Sequence, residues 1–305
     1  MDTLYHTYSI VARDEKTGQL GVAVQSHWFN VGSLCPWVEA GVGAIATQSL
    51  VKVSYGPEGL DLLRAGKSAQ EALDIMLAED KDNNVRQVAI VDARGNIATH
   101  TGSHCIAQAG HIKGNSFSVQ ANMMKNDSVW PAMAKAYEES QGDLTDRMLA
   151  AMLAAQAEGG DIRGKQSAAM LIADATKSDT PYEHLVLDLR VEDDPDPLTE
   201  LKRLIDIQRA YDHMNQGDEY LSQHDMKNAM HAYAQAARLA PHIEELRFWE
   251  AATLAENGKL AEALPIFKDV FAINPDWAVL LQRLPASGLF PDDKELLNTI
   301  LQQAK

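Results

Sequence analysis

The chain has 305 residues, 46% of them hydrophobic, with a formal net charge of −16 and a length that suits one large or two medium domains. An acidic excess of this size argues against nucleic acid as a partner, which needs surplus Lys and Arg to neutralise phosphates, and equally against an anionic membrane surface. Two cysteines, Cys35 and Cys105, make no disulfide framework and point to a reducing compartment. The first residues, "MDTLYHTYSIV", lack a signal-peptide pattern and no run of about 18 apolar residues occurs, so a cytoplasmic protein is expected.

In chain order, "HTYSIVARD" (6–14) reads as a strand that places Thr7 and Ser9 on one face. "LGVAVQS" (20–26) follows after a turn at Gly18 and ends in Ser26, with His27 next. A third strand, "GVGAIATQS" (41–49), ends in Thr47 and Gln48. "GPEGLDLLRAG" predicts a helix with Pro57 near its start and Gly66 past its end. "SAQEALDIMLAED" opens on a capping box, Ser68 to Glu71. "RQVAIVDARGNIATHTG" is a hairpin turning at Arg94–Gly95–Asn96, and "NSFSVQANMM" a strand with Asn122 at its end. Helices over 127–140 and 144–160 precede two closing strands, "KQSAAMLIADA" and "EHLVLDLRVED".

Strands and paired helices in this order predict an α+β fold of two antiparallel sheets between helical layers. A βαβ repeat would give single crossover helices, and no glycine-rich phosphate motif follows a strand. Acidic residues and two prolines in "DDPDP" (193–197) mark a boundary, giving domains 1–196 and 197–305. In the second, an offset of 34 residues aligns Pro241 with Pro275, Ala229 with Ala263, Tyr233 with Phe267 and Gly217 with Ala251. That period and small/large pattern resemble the tetratricopeptide repeat, although Arg247 and Leu254 stand where an aromatic is common. Repeats of this kind imply a protein partner rather than chemistry.

Several residues suit a site. Ser26 with His27 pairs a hydroxyl with a proton acceptor, against the alternative of a surface or capping histidine. Thr47 and Gln48, or nearby amides, suit an oxyanion. In "GGDIRGKQS", Arg163 fits a substrate carboxylate with Asp161 orienting it; an internal ion pair fixing the turn is the competing reading. Asp188 and Arg190, two apart on a strand, read as structural, and Met133, Met148, Met152 and Met170 as packing. His100, His104, Cys105 and His111 carry zinc-binding atoms, but their spacing fits no standard structural pattern, so no metal site is assigned.

The blocks "YSIVARD", "GVAVQS", "GVGAIATQ", "YGPEGLDLLRAG", "RQVAIVDARGNIATHTG", "GGDIRGKQSAAMLI" and "DLRVEDDPDP" together resemble the family catalogued as domain of unknown function 1028, over about residues 7–210. The resemblance implies a four-layer αββα sandwich of the N-terminal-nucleophile (Ntn) hydrolase type. In that type a first-strand Thr, Ser or Cys attacks while its own free α-amine acts as base. Thr7 is then the positional nucleophile, with Ser9 a second hydroxyl on its face. Here Thr7 follows six residues, "MDTLYH", so its nitrogen lies in a peptide bond. The expectation is an Ntn-type amidohydrolase acting on a small amide or peptide-like substrate, without metal or cofactor. Its repeats would bind a partner or build a homo-oligomer. The rival is a non-catalytic Ntn-like scaffold whose repeats dock another protein, and a zinc hydrolase using the 100–111 loop stands third.

Overall fold

Short runs of β-branched and apolar residues broken by glycine turns dominate the first two hundred residues, and they fold as strands. The computed structural model describes residues 4–5 and 7–304. The chain divides into two compact units, one ending at Leu204 and one starting at Ile205.

The first unit begins with β1 (Leu4–Tyr5), β2 (Thr7–Arg13), β3 (Leu20–Ser26), β4 (Pro36–Glu39) and β5 (Gly43–Leu50). Helices α1 (Tyr55–Arg64) and α2 (Ala69–Glu79) follow, then β6 (Arg86–Asp92), β7 (Ile97–Thr101), β8 (Gly110–Lys113) and β9 (Phe117–Ala121). Helices α3 (Val129–Glu139) and α4 (Leu144–Ala157) precede β10 (Ser167–Ala173) and β11 (Leu185–Val191), and α5 spans Pro197–Ser222. The division between the units falls within α5.

Among the described residues the strands form two antiparallel sheets. One has the order β1-β5-β6-β7, with β4 also on β5; the other runs β11-β10-β3-β2-β9-β8. Strands β4 and β8 were not anticipated from the sequence. Each is four residues long, too short to show alternation, and β8 ("GHIK") is largely polar. Pro57 sits in the first turn of α1, where its missing N–H leaves no bond unmade. The capping box at α2 is formed: Ser68 Oγ accepts from the Glu71 amide, and Glu71 Oε2 accepts from the Ser68 amide.

Register decides which side chains face each other. Val11 pairs with Val22, and Ala46 with Ala89, so these residues line the space between the two sheets with Val24, Val91 and Leu171. The alternate residues of β5 and β6, Ile45, Val88 and Ile90, pack outward against Leu60, Leu73 and Met76 of α1 and α2. On the second sheet α4 lies so close to β3 that a Cβ on Gly21 would fall 2.6 Å from the Met148 sulfur. Met133, Met148, Met152 and Met170 are wholly buried.

The second unit is helical. It continues with α6 (Met226–Leu239), α7 (Glu244–Glu256), α8 (Leu260–Ile273), α9 (Asp276–Leu281) and α10 (Lys294–Leu301). Ala229, Tyr233, Ala251, Ala263 and Phe267, the positions matched at 34 residues, are all buried. Gly217 must be small, because a Cβ there would lie 2.5 Å from the Tyr233 ring. Phe248 meets Phe267 edge-on at 6.0 Å and stacks on Trp277 at 4.7 Å. Among the described residues, no helix is long and apolar enough to cross a membrane.

Candidate functional site

The space between the sheets has two halves of opposite character. Away from the start of β2 it is filled by Val, Ala and Leu. At that start it holds Thr7, Ser9, Gln48, Gln87, Gln120 and Asn122, all 0% exposed. Buried polar groups cost free energy unless hydrogen-bonded, so such a cluster in a sheet interface needs an account.

Most of it is satisfied internally. Gln87 Oε1 accepts from Gln48 Nε2 at 2.7 Å and Asn122 Nδ2 at 2.9 Å, while Gln87 Nε2 donates to Thr101 Oγ1 and the Ala121 carbonyl, each at 2.9 Å. Ser9 Oγ donates to Gln48 Oε1 at 2.7 Å and accepts from Gln120 Nε2 at 2.6 Å. The Thr7 carbonyl accepts from the Asn122 amide and from Gln48 Nε2, each at 3.1 Å, which pins the first residue of β2. The Thr7 hydroxyl is different. It is buried beside the Cys35 thiol, a weak sulfur partner, and makes no hydrogen bond of ordinary geometry. Cys35 spends its proton on the Thr47 carbonyl at 2.7 Å, and burial pushes its thiol far above the ordinary value.

Two backbone features frame the cluster. Ser49 (φ +73°) and Met123 (φ +56°) directly follow Gln48 and Asn122, and both adopt the left-handed region that non-glycine residues avoid. Ser49 lies within β5, one residue before its end, and Met123 lies two residues past the end of β9. Tyr5 pairs with Ser49 in one sheet, while Thr7 pairs with Ser26 in the other. Residues 5 and 7, two apart in the chain, thus belong to different sheets.

The expected site residues are not all brought together. Thr7, Ser9, Gln48 and Asn122 meet, and Ser26 lies opposite Thr7 in register. Thr47 turns the other way, as neighbours in a strand must, and its hydroxyl donates to the Lys52 carbonyl at 3.3 Å. His27 lies past the end of β3, with Nδ1 3.4 Å from the Lys165 carbonyl. Asp161 takes Arg163 Nε at 3.0 Å, Arg163 Nη2 at 2.7 Å and the amides of His27 and Arg163, so the Arg163 fork is engaged within its own loop. That loop packs on the outer face of the second sheet, where a Cβ on Gly160 would be 3.2 Å from the Tyr8 ring.

His100, His104 and His111 take separate partners, namely the Asn83 carbonyl, Asn84 and Thr101. Among the described residues no three His, Cys, Asp or Glu side chains are grouped to hold a metal ion. Gln87, Gln120 and Cys35 were not among the residues the sequence singled out. The signal was present, since Gln48, Gln87 and Gln120 each place a carboxamide in a strand rich in small and apolar residues.

No curated protein matches the chain. Among solved structures, protein SPO2555 from Silicibacter pomeroyi, itself assigned to DUF1028, is similar with 30% identity and a TM-score of 0.59, covering 66% of this chain and 84% of that one. The "Family of unknown function (DUF1028)" matches residues 7–201, well over half the sequence, and the chain belongs to that family.

Proposed function

We propose that the first unit is an amide-bond hydrolase of the Ntn type and that the form described here is its closed precursor. The observation that carries the reading is Thr7: its hydroxyl is sealed from solvent with only the Cys35 sulfur beside it and no hydrogen bond of ordinary geometry, and its carbonyl is clamped by two carboxamide side chains. A buried hydroxyl left unpaired costs about 1–3 kcal/mol. Such a cost is retained where a group serves chemistry rather than the core.

With the bond before Thr7 cut, its α-amine, of pKa about 8, becomes a base beside its own hydroxyl. The amine takes the hydroxyl proton and the oxygen attacks the substrate amide carbon. In the opened form a carboxamide N–H of Gln48 or Asn122, released from Gln87 Oε1, turns to the developing oxyanion. The C–N bond breaks, the amine product leaves with the proton, and water cleaves the acyl-Thr7 ester to a carboxylic acid. Losing the residues before Thr7 also removes β1 from beside β5, which opens the polar half to substrate.

The test compares the full chain with one released from a cleavable fusion so that Thr7 is its first residue. Both are treated with a hydroxyl-directed electrophile such as a β-lactone, and adducts are mapped by mass spectrometry. An adduct on Thr7 in the released chain alone is expected. A folded released chain that takes no label at Thr7 rejects the proposal.

A second reading is favoured by a separate observation. The network around Ser9, Gln87 and Asn122 is complete as it stands, as in a permanently closed scaffold. The helical unit then carries the function, as tetratricopeptide-like repeats that dock a protein or a second copy. A 420 Å³ groove lined by Trp277, Val279, Leu280 and Arg283 is a suitable seat. Capture of one partner by residues 205–305, with no labelling of Thr7, selects this reading.

A further inference from the structure

Strand β11 is the last strand of the six-stranded sheet, and among the described residues nothing bonds to the backbone of its outer edge between Leu185 and Val191. Such a row of unpaired N–H and C=O groups is a template for another strand, which proteins commonly blunt with Pro, Lys or a very short edge. Here "LVLDLRV" runs for seven residues without Pro, Lys or Gly. The single register shift against β10 falls at Val186, so residues 187–191 run regularly. The start of the edge is apolar as well: Leu185 is 37% exposed, Val186 42%, and Tyr182, three residues before the strand, 70%.

The edge is also complementary to itself. Asp188 and Arg190, two apart, share one face of β11, and Arg190 Nε and Nη2 donate to the Asp188 carboxylate at 2.7 and 3.1 Å. When two copies of β11 are paired antiparallel about a two-fold axis at Leu189, Asp188 of each copy stands opposite Arg190 of the other. Leu187 then stands opposite Val191, apolar against apolar. A guanidinium carries five N–H groups and the pair within the chain uses two, so it can bridge a second carboxylate. Charge fixes the direction too. The acidic run Glu192–Asp193–Asp194 follows each strand, and the antiparallel register holds the two runs about 25 Å apart, where a parallel one would stack them. In a chain of net charge −16 that separation matters.

We propose that β11 is the contact through which two copies of this chain associate, joining their six-stranded sheets into one continuous sheet across a two-fold axis at Leu189. The inference is independent of the chemistry at Thr7, and it assigns self-association to the first unit rather than to the helical one.

Sedimentation velocity of the full chain across micromolar concentrations tests it, and a dimer is expected. Arg190→Glu sets an acid opposite Asp188 of the second copy, twice over by symmetry, and should weaken dimerisation about 10- to 100-fold. Adding Asp188→Lys reverses the pair and should restore it. Leu189→Cys brings two thiols face to face at the axis, within disulfide reach, so mild oxidation should crosslink the chains. Val186→Cys, exposed on the same strand but opposite residue 192 of the second copy, should not crosslink. Where Arg190→Glu fails to fold by circular dichroism, the crosslinking pattern decides. A monomer throughout overturns the proposal, as does a dimer unchanged by folded Arg190→Glu or no recovery in the folded double variant. Crosslinking through Leu189→Cys no faster than through Val186→Cys overturns it equally.

Discussion

Thr7 and Ser9 occupy one face of one strand, are equally buried, and should respond to loss of their hydroxyls with opposite sign. Thr7→Val replaces an unpaired buried hydroxyl by a methyl of the same shape. Relief of a desolvation cost of about 1–3 kcal/mol gives a net gain of about 1–2 kcal/mol. For a unit of this size that raises the melting temperature by about 2–8 °C. Ser9→Ala deletes both a donor to Gln48 and an acceptor for Gln120, leaving two buried carboxamide groups unpaired. A loss of about 2–5 kcal/mol follows. Urea unfolding of both variants, followed by circular dichroism and checked by thermal melts, reads the difference directly. If Thr7→Val destabilises as Ser9→Ala does, the Thr7 hydroxyl is an ordinary structural partner, and its retention says nothing about chemistry.

Four further outcomes are expected. Asp80 and Arg86 form a buried ion pair at 2.9 Å with the Tyr55 hydroxyl on the same carboxylate, so Arg86→Met should cost about 3–5 kcal/mol in urea unfolding. Burial raises the Asp80 carboxyl, but hydrogen bonds from Arg86, the Asp82 amide and Tyr55 outweigh it and hold the pKa at about 2, below the usual 3.8. The stability this gives, about 2 kcal/mol, is intact above about pH 4 and drains away as pH falls toward 2; Asp80→Asn should flatten that part of the stability–pH curve. Gly217→Ala should destabilise the helical unit by about 1–2 kcal/mol, since overpacking against the fixed Tyr233 ring exceeds the gain in helix propensity; unchanged melting would show that the ring yields. Burial raises both thiols, so Cys35 should react with a disulfide reagent only on unfolding and Cys105 slowly in the native state.

The strands 7–13 and 20–26, the hairpin at Gly95 and the capped helix after Ser68 were legible because each rests on a local rule: alternation, turn chemistry or capping. The short edge strands at 36–39 and 110–113 rest on neighbours instead. The polar cluster was half legible. Thr7, Ser9, Gln48 and Asn122 could be named from strand ends, but Gln87 joins Gln48 only because β5 and β6 pair in that register, which no local pattern reveals. Thr47 shows a local rule left unapplied, for two adjacent strand residues cannot both face one site. The ion pair of Asp161 and Arg163 was foreseen as a contact; which of its two readings applied depended on how many donors surround Asp161, a property of the folded loop.

The proposal turns on whether the threonine that heads β2 works as a chain terminus. Protein isolated from its native cells can be treated with a tagged β-lactone, the labelled molecules captured, and their first residues sequenced. Labelled molecules beginning at Thr7 are predicted. Labelled molecules that still carry an intact peptide bond before Thr7, or a native pool never cut there, would contradict it.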